Sequence, residues 1–272
     1  EKAAALHPGD QALRGEFISA LATPGLRLIS ERSCDSISEV FDSALTLCLG
    51  RESGGSLCLQ RLPGGEVLSR REVPGVEWLF PVGITGDGRT EFARDSRGRL
   101  LSWKDGAEQP PVEAGGTGDC HWNVNAEGTF ALAWRADGTV TGVPLIGGDK
   151  RTVWSCPYGF RQGFEPGSLI SADGTGAAFC NHQATEIRVY ALPGGAPLHR
   201  LESPRPFSGA MAVSADSKVF AAGFVDGGIG IWRTGGTGAC EIIEAGQVNI
   251  SSLAISPDGR FLVSSSWAAA DY

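Results

Sequence analysis

The sequence lacks the features that would place it in several common functional classes. No stretch approaches the roughly 18 consecutive apolar residues of a membrane-spanning helix, and the opening residues lack the apolar core of a secretory signal. Lysine is scarce, with four among the 23 basic residues, and the net charge is −8. Because nucleic-acid binding needs clustered basic side chains that release counterions, we expect no nucleic-acid partner. Because no apolar run is long enough, we also expect no membrane span.

Motifs for nucleotide and kinase chemistry are also missing. The glycine-rich segments 115–118 and 235–238 precede no predicted helix, and the chain contains no Gly-Lys pair of the kind found in a P-loop. The segment His199-Arg200-Leu201 lacks the catalytic Asp of a kinase, and no Asp-Phe-Gly follows it. We therefore interpret both glycine-rich segments as turns and predict no cofactor.

The seven cysteines form no C-x-x-C pair, and their odd number argues against a complete disulfide framework. Several lie in apolar segments, for example Cys48 and Cys58, so we expect reduced, mostly buried thiols and a cytoplasmic protein. Two segments combine zinc-ligand residue types, but a structural zinc site usually needs four ligands. Since no further pair completes either of them, we predict no metal site in Cys120-His121 or Cys180-Asn181-His182.

What the sequence does contain is a unit that recurs about every 42 residues. Hairpin glycines mark it at positions 64, 106, 148, 195 and 236, and the predicted third strands end in phase with them, at Gln60, Trp103, Val143, Tyr190 and Trp232. A period of roughly 40 to 45 residues built from short strands is typical of propeller blades. We therefore predict an all-β fold, a β-propeller of four-stranded blades with five full blades and an incomplete sixth. A propeller of seven blades is the alternative.

The first residues follow a different pattern. Asp10 is a helix-capping residue type, and Leu13, Phe17 and Leu21 recur every fourth residue after it. We predict a helical linker over 1–25 and the propeller over 26–272. The last unit stops after its second strand, so we expect the segment 26–31 to complete that blade, and we expect the chain to be part of a longer protein.

Part of the repeat resembles a known family. The segment from Asp226 to Trp232 resembles the Asp-to-Trp segment of WD-repeat proteins, and the segment from Ile255 to Arg260 resembles their first turn. The resemblance covers 26–272 and implies a non-catalytic protein-interaction scaffold or sensor. Other copies depart from the pattern, since Gly54, Arg97 and Ala184 replace the Asp, and the family's Gly-His pair is absent. Blade stability is therefore expected to rest on apolar packing.

The segments before the repeat also resemble the linkers of propellers that are attached to bacterial serine/threonine protein kinases. The residues that carry this resemblance run from Pro24 to Leu28 and continue to Phe41-Asp42. The resemblance implies a module that senses or recruits within a larger signalling protein.

Aromatic residues are concentrated in the predicted connections between blades. These connections share one face with the turns that carry Arg51, Arg94, Arg135 and Asp226. Because large rigid side chains edged by arginine suit a binding hot spot, we predict that a protein or peptide partner contacts Tyr158, Phe160, Arg161, Phe164, Phe207, Trp78 and Trp122. The alternative for Trp78 and Trp122 is that they begin first strands and pack between blades.

An enzymatic function is the competing hypothesis. A propeller hydrolase or lyase would use carboxylates or a metal at its central channel, and Asp119 and Glu165 are the residues to mutate in testing it. The segment Arg51-Glu52-Ser53-Gly54-Gly55 also echoes the surroundings of a serine-protease nucleophile. The His and Asp residues of a serine protease do not accompany it in their required order. We therefore interpret the segment as a turn and predict no catalytic residue in this chain.

Overall fold

The structure of the chain is a computed structural model. It describes residues 39–42, 46–62, 64–114, 120–147, 151–157, 167–171, 174–180, 184–214, 218–233, 240–245, 249–255 and 262–266. The regular secondary structure of these residues consists of 22 β-strands. The helix predicted within 1–25 and the blade-completing segment 26–31 lie outside the described residues.

The strands form consecutive antiparallel sheets in which each strand pairs with its neighbour in the chain. Sheet 1 contains β1 (Glu39–Phe41), β2 (Leu47–Arg51), β3 (Leu57–Arg61) and β4 (Glu66–Arg71). Sheet 2 contains β5 (Leu79–Ile84), β6 (Thr90–Asp95), β7 (Leu100–Lys104) and β8 (Ala107–Glu108). Sheet 3 contains β9 (Cys120–Val124), β10 (Phe130–Arg135), β11 (Thr139–Pro144) and β12 (Thr152–Ser155).

The remaining strands continue the same pattern. Sheet 4 contains β13 (Gly167–Ile170), β14 (Gly176–Cys180), β15 (Glu186–Ala191) and β16 (Ala196–Glu202). Sheet 5 contains β17 (Phe207–Val213), β18 (Val219–Phe224), β19 (Gly228–Arg233) and β20 (Glu241–Glu244). Sheet 6 has two described strands, β21 (Ile250–Ile255) and β22 (Leu262–Ser266). The all-β class is therefore confirmed, and five sheets have the four strands predicted for a full blade.

The hydrophobic core is divided into five clusters, and each cluster joins one sheet to the next. Leu49 and Leu57 of sheet 1 pack with Leu79 and Trp103 of sheet 2, for example. Equivalent clusters join sheets 2 and 3, sheets 3 and 4, sheets 4 and 5, and sheets 5 and 6. The first strands of successive sheets also contact one another. This serial packing of meander sheets is compatible with a propeller-like fold.

A buried polar side chain closes the first turn of each four-stranded sheet. Its oxygen accepts a hydrogen bond from the backbone N–H five residues later, at the start of the second strand. Donor–acceptor distances are 2.8 to 3.0 Å. The five pairs are Asp42 with Leu47, Thr85 with Thr90, Asn125 with Phe130, Ser171 with Gly176, and Ser214 with Val219. We call these side chains the turn caps.

The described cysteines are mostly buried, as predicted. The six described cysteines carry free thiols, and only Cys240 among them is not fully buried. Burial raises the pKa of the Cys180 thiol to about 12, so this thiol stays protonated at neutral pH. In the described part of the chain, no helix has the length and apolarity needed to cross a membrane.

Candidate binding site

The described loops before β5 and β17, which join successive sheets, lie beside turns between second and third strands. The start of β5 bonds to the β2–β3 turn, where Leu79 N–H donates to Gly55 O at 2.8 Å. The start of β17 bonds to the β14–β15 turn in the same way, with Phe207 N–H donating to Ala184 O at 2.8 Å. Together these loops and turns form one edge of the sheets, which we call the connection face. The sequence-based expectation that they share a face is therefore met at these positions.

The most distinctive part of the connection face is a stack of arginine and aromatic side chains. The guanidinium Cζ atoms of Arg51 and Arg94 lie 5.7 and 5.2 Å from the centroid of the Trp78 ring. Arg94 Cζ also lies 5.7 Å from the ring of Phe80, its cross-strand partner in β5. All four side chains are half-buried. We call Arg51, Trp78, Phe80 and Arg94 the cation–aromatic cluster.

The local fold explains why these four side chains meet. Arg51 ends β2, and Trp78 immediately precedes β5 of the next sheet. A side chain on Gly55 at this point would place a Cβ atom 2.8 Å from Glu77 O, and Gly55 has a positive φ of 86°. The absence of a Cβ atom therefore lets the β2–β3 turn approach the backbone that presents Trp78.

Arg94 also links sheet 2 to sheet 3. Its Nη1 donates a hydrogen bond to Cys120 O at 2.8 Å, at the first residue of β9. The next residue is His121, whose pKa is lowered to about 4 by burial and by the nearby positive charge of Arg94. The His121 imidazole is therefore neutral at neutral pH. Arg94 supplies the fixed positive charge at this point of the face.

The connection face of sheet 5 carries a further arginine–aromatic contact. Arg205, in the segment before β17, bonds to Asp226 in the β18–β19 turn at 3.1 Å and to Glu244 of β20 at 3.1 and 2.5 Å. Its Cζ lies 5.9 Å from the Phe224 ring. Hydrogen bonding to Arg205 lowers the pKa of Glu244. The guanidinium charge is thus balanced within the protein here.

The structure separates the predicted partner-binding residues into three groups. Trp78 is half-buried within the cation–aromatic cluster. Trp122 and Phe207 are only 2% and 0% exposed, so a partner cannot contact their side chains in this structure. The remaining predicted residues lie outside the described residues, as do both candidates of the enzymatic alternative: Tyr158, Phe160, Arg161, Phe164, Asp119 and Glu165.

The two buried aromatic residues have clear packing roles. Trp122 Nε1 donates to Gly98 O of the preceding sheet at 2.9 Å, which matches the alternative that Trp122 packs between blades. The Phe207 ring centroid lies 5.6 Å from that of Phe224 and 5.8 Å from that of Trp232. Both side chains are therefore buried, in contrast to the prediction that Trp122 and Phe207 lie on an exposed contact surface.

The sequence patterns did not indicate a role for Phe80 or Arg205. Phe80 lies inside a predicted first strand, and only the pairing register shows that it faces Arg94. Arg205 follows Pro204 in a loop, where no periodicity signals its contact with Asp226 and Glu244. Both residues belong to the connection face through contacts between different strands and turns, and local sequence patterns do not reveal such contacts.

The described residues of the other chemical candidates make structural contacts, while Asn181 and His182 lie outside the described residues. Within the ranges that the structure describes, no group of three or more His, Cys, Asp or Glu side chains is arranged to hold a metal ion. The buried Cys120 thiol donates to Gly98 O at 3.1 Å. The β2–β3 turn closes with Gly55 N–H donating to Glu52 O at 2.9 Å. This geometry matches the interpretation of the Ser53 segment as a turn.

No protein-family model matches the chain, and no curated protein matches it. The function of the protein is therefore inferred from the cation–aromatic cluster and its surroundings.

Proposed function

We propose that this chain is a non-catalytic binding module that holds a peptide or protein partner on its connection face. The observation that supports this proposal is the cation–aromatic cluster, in which two arginines surround one half-buried indole ring. Tryptophan and arginine are the residue types most often found at the energetic centre of protein interfaces. A cluster that is already ordered loses little conformational entropy when a partner binds.

The fold supports a binding role because it packs the cluster between neighbouring sheets. The cluster is held between two four-stranded sheets, and Leu79, directly after Trp78, is 1% exposed in the core that joins them. Residues of three sheets converge here, because Arg94 also bonds to the start of β9. A site built on strand ends of a rigid scaffold presents its side chains in one fixed arrangement.

We extend the proposal to the architecture and setting of the module. Serial packing of meander sheets and the resemblance to WD-repeat proteins favour a propeller with six or seven blades. The resemblance of the first segments to kinase-attached propellers favours a recruiting role within a larger cytoplasmic signalling protein.

The proposed function is tested by selecting peptides from a random display library on the immobilised 272-residue chain. Three proteins are compared: the wild type, Trp78→Leu, and the control Val153→Ala, whose side chain is 68% exposed on the outer strand β12. We expect enriched peptides that bind the wild type and the control at least tenfold better than Trp78→Leu. Circular dichroism verifies that all three proteins are folded. If the enriched peptides bind Trp78→Leu as well as the wild type, or if none is enriched, the proposal is wrong.

A further inference from the structure

We propose that the cleft between sheets 4 and 5 is a second binding site, which takes one leucine or phenylalanine side chain of a peptide segment. The cleft lies beside the first turn of sheet 4, where the second strand of that sheet begins. Second strands end at the connection face, so this site lies at the opposite edge of the sheets. The proposal is therefore independent of the function assigned to the cation–aromatic cluster.

The cleft is small and mainly apolar. Its volume is about 70 Å³. Leu169 and Ala178 of sheet 4 and Phe220 of sheet 5 line it, and all three belong to or pack against the hydrophobic cluster that joins these sheets. The exposed side chains of Leu198 and His199 reach the cleft from the outer strand β16. The cleft thus continues the core between the two sheets out to the surface.

One missing side chain accounts for this space. In each of the five first turns closed by a turn cap, the residue that donates its N–H to the cap is the first residue of the second strand. In sheet 4 this residue is Gly176. The other four sheets have a side chain at the same position, namely Leu47, Thr90, Phe130 and Val219. Since alternate residues of a strand share a face, Gly176 lies on the same face as Ala178, which packs towards sheet 5.

The equivalent residues of other sheets indicate which group fits the cleft. Leu47 packs against the cluster that joins sheets 1 and 2, and Phe130 packs against the cluster that joins sheets 3 and 4. Two residues further along the second strand, Ala178 takes the position of Leu49 in sheet 1 and of Leu132 in sheet 3. Sheet 4 is therefore open where a leucine or phenylalanine side chain fills the other sheets, and a ligand can supply that side chain.

The local geometry does not require glycine at position 176. A Cβ atom on Gly176 would lie 3.5 Å from Ser171 Oγ and 3.7 Å from Tyr190 O, which are ordinary contact distances. The φ angle of Gly176 is not positive either. Glycine inside a strand weakens the strand and often marks a place where a ligand approaches closely. Neither crowding nor backbone conformation therefore explains the open space.

The small size of the cleft favours a peptide over a free small molecule. A ligand that only fills the cleft has few atoms, and the number of atoms limits its affinity. A peptide that inserts one side chain can also contact the exposed strand β16. A β-bulge there leaves Leu198 out of the pairing between β15 and β16, and its side chain is 51% exposed. Because bulges redirect side chains, Leu198 and His199 can support the peptide beside the cleft.

The test selects peptides from a random seven-residue display library on the wild-type chain and removes those that also bind Gly176→Leu. This variant places a leucine side chain where Leu47 lies in sheet 1. We expect the remaining peptides to share a leucine or phenylalanine, and its replacement by alanine to weaken binding at least tenfold in fluorescence anisotropy. The matched control is Gly64→Leu in the β3–β4 turn, where a Cβ atom meets nothing within 4 Å. It should bind like the wild type, as should Trp78→Leu, which alters only the connection face.

Two surface variants guard against altered folding as an explanation, and circular dichroism verifies the fold of every variant. Leu198→Ser should weaken binding of the selected peptides about fivefold. Leu68→Ser, at the equivalent bulge of β4 in sheet 1, should have no effect, although its side chain is 37% exposed.

Four outcomes would overturn the proposal. They are that no peptide distinguishes the wild type from Gly176→Leu, that the selected peptides carry neither leucine nor phenylalanine, or that Leu68→Ser weakens binding as much as Leu198→Ser. The fourth is that N-acetyl-leucine amide binds as tightly as the peptides, because the cleft would then serve a free small molecule.

Discussion

At the scale of single residues, two hairpin glycines have the same backbone conformation but different surroundings. Gly65 and Gly195 both have a φ of +72°, and each N–H closes its hairpin with a 2.8 Å hydrogen bond. A Cβ atom on Gly65 would meet nothing within 4 Å. A Cβ atom on Gly195 would lie 2.4 Å from Cδ2 of Trp154, which belongs to the neighbouring sheet. The same repeat position is thus open in sheet 1 and closed by an inter-sheet contact in sheet 4.

This difference predicts unequal effects of the same substitution. Gly65→Ala should lower the free energy of unfolding by about 1 kcal/mol, because alanine is strained at positive φ. Gly195→Ala should lower it by about 1 to 3 kcal/mol more, because the Trp154 ring must also move. Urea denaturation of both variants and the wild type measures the two losses. Equal losses would show that the Trp154 contact has no energetic role.

At the scale of secondary-structure elements, the sequence predicted strands and turns well but not the side chains that close them. The observed third strands end at Arg61, Lys104, Pro144, Ala191 and Arg233, one residue after the predicted ends. The glycine positions and the alternation of apolar residues predict these strand ends from the local sequence alone. The turn caps escaped prediction because five positions are filled by four residue types, Asp, Thr, Asn and Ser, whose shared property is a buried oxygen acceptor.

The turn caps predict a specific loss of stability in a fully described turn. In the first turn of sheet 2, Thr85 Oγ1 accepts from Thr90 N–H at 3.0 Å and donates to Asp87 Oδ1 at 2.6 Å, and Thr85 is only 4% exposed. Thr85→Val keeps the shape of the side chain but leaves the Thr90 N–H without this acceptor. We expect the free energy of unfolding to fall by about 1 to 3 kcal/mol, measured by chemical denaturation.

A second hydroxyl serves as the control for this prediction. Ser69 Oγ in β4 is buried and has no hydrogen-bond partner among the described residues. Removing it in Ser69→Ala takes away a polar group that gains nothing from its burial, so stability should stay within about 0.5 kcal/mol or rise. A similar loss in both variants would contradict the special role assigned to the turn cap.

Across the whole molecule, the sequence predicted the repeated sheets but not how neighbouring sheets recognise each other. The period of about 42 residues and the phased turns were sufficient for five four-stranded meanders. They could not decide whether an aromatic residue at the start of a first strand is buried. Phe207 is buried against Phe224 and Trp232, while Trp78 remains half-buried beside two arginines. That outcome depends on the register of each strand and on the neighbouring sheet, which are not encoded in any local pattern.

An ion pair between sheets 1 and 2 gives a prediction at this largest scale. Arg71 of β4 forms two hydrogen bonds to Glu91 of β6, at 2.9 and 3.2 Å, and their side chains are 16% and 6% exposed. Arg71→Ala would leave the Glu91 carboxylate buried without this partner, so the free energy of unfolding should fall by about 3 to 5 kcal/mol. Arg61→Ala, which breaks an exposed pair with Glu66, should cost less than about 1 kcal/mol. Replacing both members, as Arg71→Met with Glu91→Leu, should restore most of the loss in urea denaturation, because no buried charge then remains unpaired. A double variant less stable than Arg71→Ala would mean that the charges themselves hold the two sheets together.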